Sequence, residues 1–146
     1  MRNTHVLNDL IRINHDRVEG YEKAASQTSE NDLRTLFHDM SNQSRQFATE
    51  LERVVKAEGA DPAEGTTNSG KIYRTWMDVK ATFGGDDRKG ILASCEFGED
   101  AAQTAYRTAL KEDDLDAPVR VIIESQKTSL KDAHDKIKQM RDAAPR

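Results

Sequence analysis

The chain has a single cysteine, Cys95, which rules out an intramolecular disulfide as a staple for the fold. Cys95 falls on an apolar helical stripe, where a buried, unreactive thiol is the commoner outcome. Aromatic residues make up only 5% of the sequence, and no run of Val, Ile, Thr and aromatics alternates with polar residues as a strand requires. No apolar run is long enough to span a bilayer. The first ten residues include Arg2, Asn3, His5, Asn8 and Asp9 and so lack the apolar core of a secretory signal. The expected location is therefore cytoplasmic, with no membrane partner. Basic residues are interleaved with acidic ones, and the net charge of −4 speaks against nucleic acid as a partner.

Several chemical signatures are missing as well. There is no Ser–His–Asp or Cys–His pattern, and Gly84-Gly85 lacks the Lys and Ser/Thr of a phosphate-binding loop. No Glu is followed three residues later by His, the pair that a dinuclear carboxylate bundle needs twice.

What remains is helix. With 36% hydrophobic and 33% charged residues over 146 positions, the composition suits one set of amphipathic helices around one core. Val6, Leu7, Leu10, Ile11, Val18, Tyr21 and Ala25 recur at spacings of three and four and predict a helix over 3–26. Ser29 with Asp32 resembles a capping box ahead of Leu33, Leu36, Phe37, Met40, Ser44, Phe47, Leu51 and Val54, predicting a helix over 30–58. Gly, Pro, Thr, Asn and Ser dominate 59–70, which reads as loop. Ile72, Tyr73, Trp76, Val79 and Phe83 predict a short helix over 71–83. Two further long helices follow, over 87–112 and 116–142.

Short connections after the first and third long helices make each of those pairs antiparallel, while the middle connection is long enough to cross the bundle. The expected fold is thus all-α: one ferritin-like antiparallel four-helix bundle domain spanning 1–146, with a long crossover that contains one short extra helix. Leu7, Leu10, Asn14 and Tyr21 also overlay Leu92, Cys95, Glu99 and Tyr106 at one constant offset, as a weak internal repeat would.

Each long helix places a polar residue where its stripe calls for an apolar one: Asn14, Ser44, Glu99 and Gln126. Because a buried polar group without a partner costs on the order of 1–3 kcal/mol, these side chains are expected to meet in one buried polar layer. Tyr21 and Tyr106 are within reach of it. Where a redox bundle would supply ligands, the second helix offers Gln43 and Gln46 and the last offers Gln126 and Ser129, all poor metal ligands. No catalytic residue and no cofactor is favoured, and an enzyme is the less favoured class. The alternative is a divergent iron or manganese site that uses Glu96 and Glu99, supplemented by Glu19, Glu22 or His134. Trp76 with Ile72 is read first as a lid on one end of the core; the alternative is that Tyr73, Trp76 and Met77 form a surface for a homo-oligomer or a protein partner.

The chain resembles a bacterial family of ferritin-like four-helix-bundle proteins catalogued as a domain of unknown function, number 2383. The resemblance is carried by Leu7-Asn8-Asp9-Leu10, Asp16-Arg17-Val18-Glu19-Gly20-Tyr21, Tyr73-Arg74-Thr75-Trp76-Met77 and Cys95-Glu96-Phe97-Gly98-Glu99-Asp100. It extends from about Thr4 to Arg141. It implies a ferritin-like bundle in a bacterial, cytoplasmic protein and brings no established substrate or catalytic residue.

Overall fold

The computed structural model describes residues 2–67 and 88–144. Among them are four long helices and no strand: α1 (Arg2–Gln27), α2 (Asn31–Ala57), α3 (Arg88–Ala109) and α4 (Ala117–Ala143). The ends fall within a few residues of those expected, and the short helix over 71–83 lies outside the described residues. Pro118 sits in the first turn of α4, where its missing N–H breaks no helical bond. The start of α2 differs from expectation. Ser29 does not cap it; Glu30 occupies the cap position without a side-chain cap bond. Glu30 and Asp32 are instead drawn outward to Arg88 at the start of α3, with contacts of 2.8 and 3.0 Å. A guanidinium attracts both carboxylates more strongly than a single backbone N–H does.

Side-chain contacts fix the helix directions. Thr4 bonds Glu58 and Asn14 bonds Ser44, so α1 and α2 are antiparallel. Asn14 bonds Tyr106 while Arg17 bonds Glu99, so α1 and α3 are antiparallel too. Arg141 pairs with Glu96, and Arg120 reaches the Leu110 carbonyl, which gives the same relation between α3 and α4. Consequently α2 and α3 run parallel, and the described residues after α2, up to 67, lead back along α1.

The described part of that return is tied to α1. The Asn8 side chain accepts from the Ala63 N–H at 2.8 Å and donates to the Asp61 carbonyl at 3.3 Å. Further along, His15 Nδ1 lies 2.6 Å from the Gly65 carbonyl, and the Thr67 N–H donates to Asp16 at 3.1 Å. Gly59 and Gly65 both have positive φ, a backbone region where only glycine is free of strain. Within the stretch read as loop, Ala63 is nonetheless buried against Leu51, Val55 and their neighbours. Asn8 turns that stretch inward. We predict that Asn8→Ala will speed hydrogen exchange of the Ala63 amide by about tenfold while leaving the helix amides unchanged.

Among the described residues the interior forms two apolar clusters. One gathers Tyr21, Leu33, Phe37, Ile91, Leu92 and Ile137; the other gathers Leu7, Leu10, Leu51, Tyr106, Ile123 and Leu130. Phe47 and Val54, assigned to the α2 stripe, are only half-buried, as is Val18 on α1. Between the two clusters lies the polar layer.

Candidate functional site

Arg17 organises this layer. It is 1% exposed, although a helical arginine ordinarily reaches for solvent. Its Nε donates to both Glu99 oxygens at 3.1 and 3.0 Å, and Nη2 donates to Glu99 Oε2 at 2.7 Å. Nη1 donates to Ser44 Oγ at 2.8 Å and to the Met40 carbonyl at 3.3 Å. Met40 Sδ lies 3.5 Å from Nη2, and the guanidinium carbon sits 5.1 Å from the centre of the Tyr21 ring. Each guanidinium nitrogen is thereby occupied. Burial, the largest single influence, works against the charge of Arg17, but the charge and hydrogen bonds of Glu99 together with Tyr21 and Tyr106 outweigh it and raise the guanidinium pKa.

Glu99 is fully buried and takes a further hydrogen bond from the Tyr21 hydroxyl. Burial, and then the neighbouring Glu99 charge, pushes the Tyr21 phenol well up, so that it remains a donor. The same two causes raise the Cys95 thiol far above its ordinary range, which makes it a poor nucleophile.

The second half of the layer is uncharged. Asn14 Nδ2 donates to the Tyr106 hydroxyl at 2.8 Å and to the Leu10 carbonyl at 2.9 Å, while Ser44 Oγ donates to Asn14 Oδ1 at 2.9 Å. The Tyr106 hydroxyl in turn donates to Gln126 Oε1 at 2.6 Å. Gln126 Nε2 then donates to Glu50 at 2.7 Å and to the Phe47 carbonyl at 3.3 Å. A continuous chain of hydrogen bonds thus runs from Glu99 through Arg17, Ser44, Asn14, Tyr106 and Gln126 to Glu50, touching all four helices.

The layer therefore brings together Asn14, Tyr21, Ser44, Glu99, Tyr106 and Gln126. The overlay of the two halves also has a geometric counterpart: Asn14 pairs with Tyr106 and Glu99 pairs with Tyr21, the exchange that a twofold axis between α1 and α3 would produce. Sequence reasoning did not assign Arg17. Its signal was present, because Arg17 stands three residues after Asn14 and four before Tyr21, on the same inward face.

The acids considered for a divergent metal site are dispersed. Glu99 faces the axis and Arg17, whereas Glu96 faces the flank and accepts from Arg141. Glu22 pairs with Arg45, and Glu19 is exposed. His134 does approach Glu96, with Nε2 at 3.8 Å from its Oε2, and Asp100 approaches the same nitrogen at 2.6 Å. Asp135 holds the other ring nitrogen at 3.1 Å. Burial opposes the His134 charge, but the hydrogen bond to Asp135 and the charges of Asp100 and Glu96 together raise its pKa. Gln43 is half-buried and Gln46 exposed. Tyr73, Trp76 and Met77 lie outside the described residues.

A family model described as a domain of unknown function (DUF2383) matches residues 2–112. In fold, the chain is similar to the crystal structure of a conserved hypothetical protein from Mycobacterium tuberculosis, with a TM-score of 0.79 and 15% identity over 99% of this chain and 93% of that one. No curated protein matches the sequence. None of the helices among the described residues is long and apolar enough to cross a membrane.

Proposed function

For a chain that belongs to the DUF2383 family, we propose a non-catalytic ferritin-like bundle that acts by association with itself or with a protein partner. The observation that carries this reading is Arg17. A ferritin-like redox centre uses four carboxylates and two imidazoles to hold two cations on the bundle axis. Here the inward carboxylate of α3 is engaged by a guanidinium, and the neighbouring inward positions carry amides, hydroxyls and phenols. Those groups are weak ligands for iron or manganese, and the permanent charge of Arg17 repels a second cation. The residues present do not fit a dinuclear centre.

Association is supported by Phe97, a large apolar side chain 54% exposed on the outer face of α3. The sequence adds Tyr73, Trp76 and Met77, residue types enriched at protein interfaces. The proposed setting is the bacterial cytoplasm.

Purified protein incubated with ferrous iron or manganese and passed over a sizing column with light scattering tests the reading. The expected result is a dimer or larger species, or a complex with a co-purifying protein, without a dinuclear metal centre. A strict monomer carrying two ions per chain would overturn it.

A further inference from the structure

Away from the axis, we propose that Glu96, Asp100 and His134 form a mononuclear site for a divalent first-row transition cation on the flank between α3 and α4. Glu96 and Asp100 are one helical turn apart on α3, and His134 meets them from α4. One ligand atom from each lies within 4.8 Å of the others. An ion with bonds of about 2.0–2.2 Å sets its ligand atoms roughly 3–3.5 Å apart, so small rotamer shifts of these side chains suffice to seat one. Two carboxylates and one imidazole suit zinc, manganese or iron better than the oxygen-only preference of calcium.

Two features go beyond proximity. First, Glu96 is only 9% exposed, an unusual place for a carboxylate, and its Oε2 faces His134 Nε2 across 3.8 Å, beyond hydrogen-bond length. Second, Asp135 holds His134 Nδ1, which leaves Nε2 directed at the two carboxylates; a metal-binding histidine is held in this way by an outer carboxylate. Lys131 in turn fixes Asp135 at 2.9 Å. A surface depression of about 350 Å³, lined by Gln103, Thr104 and Arg107 together with Asp100 and His134, gives a bound ion an open face for water or an anionic ligand. Arg141 occupies the other oxygen of Glu96 and so weakens the site.

Cobalt(II), added to the full chain and followed by visible absorption and calorimetry, provides the test. One cobalt per chain is expected, with Asp100→Asn and His134→Gln each weakening binding at least tenfold while circular dichroism shows the helices intact. Arg141→Gln, which frees Glu96, should bind more tightly; weaker binding in that variant counts against the assignment. No cobalt bound at millimolar concentration, or binding unaltered by both ligand substitutions, overturns it. The outcome is separable from that of the axial reading: one ion lost in His134→Gln leaves the axial reading standing, whereas two ions retained in that variant overturn both.

Discussion

Replacing Glu99 with Gln should cost about 3–5 kcal/mol, because it leaves the Arg17 guanidinium charged, buried and without a counter-charge. That is a large share of the roughly 5–15 kcal/mol by which a domain of this kind is stable. The melting temperature should fall by about 10–16 °C. The Gln side chain nearly preserves shape, so packing changes little and the loss isolates the charge. Arg17→Met in the wild-type background should also be damaging, since it leaves Glu99 with Tyr21 but without a cation. The double variant Arg17→Met with Glu99→Leu should recover most of the loss, because apolar groups of similar volume often replace a buried ion pair without penalty. Urea unfolding of wild type, Arg17→Met, Glu99→Leu and the double variant closes a cycle and gives the coupling energy directly. A Glu99→Gln protein within 1 kcal/mol of wild type would mean that Arg17 has another way to be neutralised or solvated.

Tyr106→Phe should destabilise by about 1–3 kcal/mol, the usual cost of stranding buried polar groups. The hydroxyl it removes both accepts from Asn14 and donates to Gln126. Asn14 keeps its bond to the Leu10 carbonyl, so much of the loss falls on Gln126 Oε1. Gln126→Leu should cost less, because Glu50, the nearer acceptor of its amide N–H groups, is exposed and can turn to water. Denaturation midpoints of the two variants decide the order. If Gln126→Leu proves the worse of the two, the amide bonds to Glu50 and Phe47 carry more weight than the hydroxyl relay.

The inward polar residues were readable because helical periodicity is a property of the local sequence. Asn14, Ser44, Glu99 and Gln126 interrupt otherwise apolar stripes, and desolvation cost alone says that they must find partners. Periodicity also gave the four long helices, since their buried faces repeat at the helical spacing over many turns. It gave less at Val18, Phe47 and Val54, which stand at the edge of a stripe, where a few degrees of helix rotation decide burial. Arg17 escaped the same reading for a different reason. Its spacing put it on the inward face of α1, but an arginine on a helix normally extends its charge to water, and the counter-charge that keeps it inside, Glu99, comes from another helix.

By itself, then, the amino-acid order determined the all-helical class, the antiparallel pairing and the need for polar partners inside, because each follows from spacing and loop length along the chain. Only the tertiary structure decided that a guanidinium sits on the axis and that Glu96 and Glu99, three residues apart, part company. The first depends on Glu99 arriving from a helix 82 residues away to compensate the charge. The second depends on which neighbouring helix each carboxylate meets, Arg17 on α1 or His134 and Arg141 on α4. Electrostatic pairing of this kind acts through space and leaves no period in the sequence.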